Sequence, residues 1–301
     1  MLKGLFSLRL IKKGIMSSFY PGKVILTGEH SVVFGWPAVL ASLSRGITAS
    51  VQEGQLSQEQ QADLYLQHLI KIFQDFTHQS KLNFALQISS NLPAQSGLGS
   101  SAAFAAAVLS ALADFYQHPL EQEQLYQLVW QAENFIHGRS SGADPSIVVR
   151  GGLQVFRQGQ AKQILVPSLA RETFFLIDSG LAVESTGEML SQVAGSPSHL
   201  DLIAQIGTLS EKMISDLEQD RFKPEFFKQN QKLLEELGVV GEQAKKIIKR
   251  LQQFGATAKI TGAGGVKQGS GYILAWHQDP QALEQFLKQE KLTFFTTKFL
   301  V

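Results

Sequence analysis

Cysteine is absent from this 301-residue chain, which excludes disulfide scaffolds, thiolate metal sites and cysteine nucleophiles together. An excess of either charge is also missing. There are 27 basic and 26 acidic side chains, giving a formal net charge of +1, whereas a protein that coats nucleic acid usually needs a basic face. No run approaches the roughly 20 apolar residues of a membrane helix, so a cytoplasmic location is expected. The P-loop pattern G-x-x-x-x-G-K-[ST] occurs nowhere, which removes that type of nucleotide site. The remaining composition, 44% hydrophobic and 18% charged, belongs to a folded protein and not to a disordered one. The length allows one large domain or two of about 150 residues.

The first 18 residues, MLKGLFSLRLIKKGIMSS, mix Leu and Phe with Lys3, Arg9, Lys12 and Lys13. A signal peptide needs an unbroken apolar stretch of about 7–15 residues, and Arg9 and the lysine pair interrupt it here. The segment reads as a frayed basic extension, with Met16 as a candidate start.

Strands are expected at 24–28, 47–53 and 83–89, where β-branched and apolar residues partly alternate. A helical pattern follows Leu64, Leu66, Ile70 and Phe73, and the Ala-rich run 101–116 reads as a tightly packed helix. A further helix near 121–137 carries Leu125, Leu128, Val129, Ala132 and Ile136 on one stripe. Strands at 151–156 and 174–180 precede helices at 199–219, 224–237 and 240–254. The chain then reads as strand 256–260, glycine loop, strand 271–276, helix 279–289 and strand 292–300. Strands and helices are mixed throughout, with a soft boundary near 165–175 at Pro167.

The chemistry-bearing residues cluster around glycine. In NLPAQSGLGSSAAF (91–104), Gly97 and Gly99 permit close backbone approach, and Ser100 and Ser101 sit where the Ala-rich helix begins. Free N–H groups and the positive end of the helix dipole would cradle phosphate there. The plain alternative is a glycine turn with Ser as helix cap. Gly97, Gly99 and Ala102 also fit the G-x-G-x-x-A dinucleotide fingerprint. That fingerprint, however, calls for an acidic residue at the end of a following strand, and the candidates Asp114 and Glu121 fall in or beside helices. PGKVILTGEHSVVFGWPA (21–38) places Lys23 at a strand mouth and the Glu29–His30 pair after its end, and TGAGGVKQGSG (261–271) is a glycine loop between strands. In AENFIHGRSSGADPS (132–146), Glu133 flanks the apolar stripe of its helix. A half-buried carboxylate needs a cation as partner. Asp144, between a Ser-Gly turn and Pro145, also suits a plain Asx turn.

These segments together resemble, in order, spacing and content, the three signature motifs of the GHMP kinases, the family of galactokinase, homoserine kinase, mevalonate kinase and phosphomevalonate kinase. The first motif and HGRSSGAD are most similar to the mevalonate kinase branch. The third motif departs from the family after ITGAGG, continuing as Val266-Lys267-Gln268-Gly269-Ser270 where more glycine is usual.

The resemblance implies an α+β GHMP kinase fold. Its N-terminal, ATP-binding domain (1–170) would be like ribosomal protein S5 domain 2, its C-terminal domain (171–301) would be ferredoxin-like, and the active site would lie between them. It implies phosphorylation of a small-molecule hydroxyl by ATP with Mg²⁺, foremost mevalonate to 5-phosphomevalonate in isoprenoid precursor synthesis. Another acceptor of the family (phosphomevalonate or a sugar) and a dinucleotide-dependent oxidoreductase are the alternatives. Partners would be the small-molecule substrate and ATP, with no nucleic acid and no membrane, and a homodimer is compatible.

By the same resemblance Pro93, Ser96, Gly97, Leu98, Gly99, Ser100, Ser101 and Ala102, with Gly262 and Gly264, would hold the nucleotide. Ser101 and Glu133 would hold Mg²⁺. Asp144 would take the hydroxyl proton, and Lys23 would keep Asp144 ionised and stabilise developing charge. Glu29, His30 and Thr186 would face the substrate. Position 184, basic in that branch, is Glu184 here, and Arg139 and Lys267 are candidate replacements for the missing cation.

Overall fold

The protein is described by a computed structural model covering residues 9–12, 14–93, 96–138 and 140–300. It forms two compact units that interleave in sequence. One takes the chain up to Gly22, Arg45–Pro93 and Gly99–Gly151; the other takes Lys23–Ser44, the short segment ending at Leu98, and the chain from Gly152 onward.

The first unit begins with a hairpin. Strand β1 (Arg9–Lys12) pairs antiparallel with β2 (Ile15–Thr27), from Arg9↔Ser18 to Lys12↔Ile15. The expected frayed extension is therefore a paired strand from Arg9 onward. Gly14, at φ 79, supplies the reversal, and β1 satisfies backbone groups along β2 that would otherwise form a bare edge. Strand β3 (Ala38–Gln52) pairs antiparallel with β4 (Ala85–Ser90), from Ile47↔Ser90 to Gln52↔Ala85. Five helices complete the unit: α1 (Gln58–Ala62), α2 (Leu64–Thr77), α3 (Ser100–Phe115), α4 (Gln122–His137) and α5 (Ala143–Arg150). Helix α3 is buried along nearly its whole length, from Ala102 to Ala113 except Phe104. Its alanines are small enough for α2, α4 and α5 all to pack against it, and they are also the best helix formers. Helix α3 is followed by α4, with no strand between, so 97–102 does not open the βαβ unit that a dinucleotide fingerprint requires.

The second unit holds the end of β2 from Lys23, a 3₁₀ turn (Ser31–Phe34) and the start of β3. Strand β5 (Leu153–Arg157) pairs with β3 from Ala38↔Phe156 to Ala41↔Leu153, and β6 (Gln160–Gln163) pairs with β5. After α6 (Pro167–Arg171) come β7 (Phe174–Asp178), α7 (Thr186–Ala194), α8 (Pro197–Leu217), α9 (Glu225–Glu236) and α10 (Glu242–Phe254). The chain continues through β8 (Thr257–Thr261), β9 (Tyr272–Trp276), α11 (Pro280–Gln289), β10 (Phe294–Thr297) and β11 (Phe299–Leu300).

Strands β7 to β10 form one antiparallel sheet in the order β10-β7-β9-β8. This is strand, helices, strand, strand, helix, strand, with the first strand between the fourth and third, the ferredoxin-like split βαβ connectivity. Phe175, Ile177, Ile260, Ile273, Ile203, Leu251 and Leu283 form its core. The single strand expected at 292–300 is two strands. Residues Phe294–Thr297 pair with β7, and Phe299 and Leu300 leave that sheet to pair with Leu43 and Ser42 of β3.

Candidate active site

In the second unit the glycine motifs converge. Lys23, near the middle of β2, is 3% exposed, and its backbone N–H donates to the Leu98 carbonyl at 2.9 Å. Ser96 and Leu98 are buried on either side of exposed Gly97. Gly97 has φ 74, and a Cβ there would lie 3.2 Å from the Thr261 carbonyl oxygen. A Cβ on Gly262 would in turn lie 3.4 Å from the Gly97 Cα. Backbone thus meets backbone at this pair of positions; a Cβ on Gly97 would be tighter than ordinary contact, and the positive φ of both residues (74 and 100) favours glycine. Beyond Gly264 the same loop returns at Gly271, where a Cβ would stand 3.0 Å from the Ser96 carbonyl oxygen. The loops predicted separately from sequence are one structure here.

His30 and Glu29 follow β2. The Ser31 N–H donates to the Glu29 carbonyl at 2.7 Å, closing a three-residue turn around His30 at φ 61, ψ −47. This γ-turn is strained and rare. Its supports are buried. The Lys259 ammonium on β8 donates to a Glu29 oxygen, to the Ile25 carbonyl at 3.0 Å and to the Ile260 carbonyl at 2.7 Å. Asn230 Nδ2 of α9 donates to the other Glu29 oxygen at 2.8 Å, and the neighbouring Gln231 accepts from the Ile260 N–H at 2.9 Å. Burial pulls the Lys259 ammonium below the usual lysine range, opposed by the adjacent Glu29 charge.

The His30 imidazole Nε2 lies 3.0 Å from the Ala263 carbonyl, which fixes its proton on Nε2. Burial lowers its pKa to about 4, so it is neutral, and the bond to Ala263 opposes that shift. Nδ1 is left as a buried acceptor without a partner. A buried acceptor left bare is unfavourable unless a ligand donates to it.

In the first unit, Gly99 at φ 73 is the N-cap of α3, and it makes no side-chain cap bond to the first turn. Ser100, Ser101 and Ala102 lie within that turn, so the plain reading of Ser as cap does not hold. The uncapped N–H groups and the dipole present an anion-binding end. Pro93, half-buried, lies upstream. Tyr65 of α2 brings the metal candidates together: its hydroxyl is 3.4 Å from both the Ser101 carbonyl and Glu133 Oε1. Burial, followed by the Glu133 charge, holds this phenol protonated, above its ordinary range.

Glu133 is 1% exposed. Its other oxygen lies 3.5 Å from His137 Nε2. Contacts this long leave a buried carboxylate short of compensation, and a hard cation would supply it. No group of three or more His, Asp or Glu that could hold a metal occurs among the described residues. Mg²⁺ is commonly held by one or two protein oxygens plus substrate phosphates and water.

Asp144 lies half-buried in the first turn of α5, where the helix dipole favours a carboxylate, so it is a helical residue and not part of an isolated Asx turn. The preceding turn is held by α4: Trp130 Nε1 donates to the Ser140 carbonyl at 3.1 Å, and the Ser140 N–H donates to Asn134 Oδ1 at 2.7 Å.

Thr186 is exposed in the first turn of α7, after the cap Ser185. Glu184 does not face open solvent; its Oε1 accepts from the N–H groups of Val266 at 3.2 Å and Lys267 at 2.9 Å. Arg139 lies outside the described residues. Sequence reasoning missed Tyr65, Asn230 and Lys259. Lys259 did carry a signal: in TAKIT it is the lone charge of a short strand whose neighbours are apolar or Thr.

A family description, "GHMP kinases N terminal domain", matches residues 65–152. A mevalonate kinase of Archaeoglobus fulgidus is 32% identical over 259 residues, 81% of this chain and 88% of that protein. The solved structure of Methanococcus jannaschii mevalonate kinase superimposes with a TM-score of 0.81 at 22% identity, covering 98% of this chain and 99% of that one. A Lactococcus lactis galactokinase solved with galactose gives a TM-score of 0.77 at 16% identity, covering 96% and 94%.

Proposed function

The chain belongs to the GHMP kinases, ATP-dependent enzymes that phosphorylate a small-molecule alcohol, and on that premise we propose that its acceptor is mevalonate and its product 5-phosphomevalonate. The observation that carries the acceptor is the set of relatives named mevalonate kinase, 26–32% identical over 81–93% of the chain. The site supports the reading with a neutral imidazole whose bare Nδ1 can accept from a hydroxyl.

The glycine segment 96–99 and the uncapped start of α3 bind the ATP phosphates through backbone N–H groups. Gly262 and Gly264 hold the loop beside them. Ser101 and Glu133 would hold Mg²⁺, and the ion would supply charge neutralisation at the phosphate oxygens. Asp144 accepts the proton of the acceptor hydroxyl as its oxygen bonds to the γ-phosphorus and the bond to the bridging oxygen of ADP breaks. Lys23 stabilises the charge that develops on the transferring group. His30 orients the acceptor by accepting one of its hydroxyl protons in a hydrogen bond. Glu29, engaged by Lys259 and Asn230, serves the substrate side by holding the turn that carries His30. Thr186 lies on the acceptor side.

The test is ADP release measured with mevalonate, phosphomevalonate, galactose and homoserine in parallel. Mevalonate is expected to give the highest kcat/KM. Turnover of phosphomevalonate or galactose without turnover of mevalonate would replace the acceptor and leave the kinase chemistry in place.

A further inference from the structure

The third glycine loop is held at its two limbs by different chemistry. On the buried side, Ser179 and Ser270 lace it to the sheet: the Ser270 N–H donates to Ser179 Oγ at 3.1 Å, and Ser179 Oγ donates to the Gly271 carbonyl at 2.8 Å. Ser270 Oγ donates to the Gly265 carbonyl at 2.8 Å and accepts from the Gly241 N–H at 2.9 Å. At the exposed tip, where the chain reads Val266-Lys267-Gln268, these bonds give way to a carboxylate. Glu184 Oε1 receives two consecutive backbone N–H groups, those of Val266 and Lys267. Consecutive N–H groups aimed at one point form a concavity that binds anions, and here the anion is the protein's own. The second oxygen, Oε2, is buried without a partner and would lie 3.1 Å from a Cβ built on Gly265. The carboxylate is thus seated within the loop.

We infer that Glu184 is a positioning residue: its carboxylate latches the tip of the third glycine loop and, through Gly262 and Gly271, sets the segment 96–98 that we read as the ATP phosphate site. The inference rests on that reading of the glycine loops. The path is short. The loop's first glycine, Gly262, meets Gly97 backbone to backbone, and its last, Gly271, meets the Ser96 carbonyl. A loop whose tip is released loses the fixed geometry at both ends. The latch also accounts for an acidic residue at a position that is basic in the mevalonate kinase branch, because the two N–H groups neutralise much of its charge locally.

The experiment compares Glu184→Ala and Glu184→Gln with the wild type in the full-length enzyme, with and without sodium acetate at constant ionic strength. Two quantities are read: hydrogen exchange at the Val266 and Lys267 amides, and KM for ATP and for the acceptor separately. In Glu184→Ala both amides should exchange at least tenfold faster, and KM for ATP should rise roughly tenfold with the acceptor KM within twofold of the wild type. Acetate should reverse both changes by filling the vacated concavity. Glu184→Gln, whose amide oxygen can still accept but carries no charge, should fall between. Unchanged amide exchange in Glu184→Ala overturns the latch. Faster exchange with KM for ATP unaltered overturns the positioning role of Glu184 while leaving the nucleotide reading of the glycine loops in place; that reading fails only if the wild type itself shows no ATP-dependent turnover. A rise confined to the acceptor KM, or no response to acetate in either quantity, also overturns the proposal, since a loss of packing alone is not repaired by a small carboxylate.

Discussion

Glu29 and Glu133 are buried to the same degree, each 1% exposed, yet the two units treat them in opposite ways. In the second unit both oxygens of Glu29 are engaged, by the Lys259 ammonium and the Asn230 amide. In the first unit Glu133 receives only long contacts from Tyr65 and His137 among the described residues. The fold has completed the surroundings of one carboxylate and left the other incomplete. Burial alone therefore does not mark a ligand-binding group; unmet hydrogen-bonding and charge demand does. By that measure Glu29 is part of the scaffold, whereas Glu133 and His30 Nδ1 are among the positions whose demand the described residues leave unmet.

The largest effect should come from a third carboxylate, Asp144, proposed above as the group that takes the acceptor's proton. Asp144→Asn keeps the size and removes the charge, so kcat should fall by the roughly 10²–10⁴ expected on loss of a general base. ATP binding, followed by nucleotide fluorescence or calorimetry, should persist. Near-normal turnover would remove Asp144 from proton transfer.

Lys259→Met breaks the comparison at its completed end. It strands Glu29 in the interior and should lower unfolding stability by about 3–5 kcal/mol in a denaturant titration. Adding Glu29→Leu to that variant should restore much of the loss, since an apolar pair of similar volume carries no stranded charge. If the double variant is no more stable than the single one, the pair is not the coupled unit described here.

His30 provides the next largest effect. Its pKa falls from 6.5 to about 4 in the folded chain, so the unfolded chain binds the proton more readily between those values. Its contribution is complete above pH 6.5 and is lost as pH falls toward 4, on the order of 3 kcal/mol in all. Stability measured across that window should decline less steeply in His30→Gln than in the wild type, and parallel curves would assign the slope to other groups.

Glu133→Gln should have the smallest effect on stability, because it removes a charge that the fold does not compensate. We expect an unchanged or slightly raised melting temperature together with a several-fold higher Mg²⁺ concentration for half-maximal activity. A large loss of stability would show that Glu133 is a scaffold group like Glu29.

The elements legible in sequence were those with a strong local signal. The Ala-rich α3, the helices α8 to α10 and the strands flanking the third loop lie within a few residues of their expected places. The glycine motifs were legible as separate turns, but their contact was not. Gly97 and Gly262 stand far apart in the chain, and nothing in a period or a propensity encodes a long-range backbone approach. The hairpin at Arg9 was hidden by its charges, which suggested fraying although a short strand with Gly14 at the reversal tolerates them. The turn at His30 was hidden for a different reason. A non-glycine residue at positive φ is held there by its surroundings, here by the long-range bonds from Lys259 to Glu29 and between His30 and the Ala263 carbonyl. The sequence shows the residue but not the strain.

The Lys259 ammonium has one more consequence. Its donors are all committed and its side chain is inaccessible to solvent, whereas many of the other lysines, such as Lys71, Lys162 and Lys232, stand largely in water. An amine-acylating reagent applied to the native protein would mark those surface lysines within minutes and leave Lys259 unmodified until the strand that bears it separates from α9 and β2. This one amine is thus a built-in clock for the opening of the second unit, readable by mass from a single peptide without any engineered label.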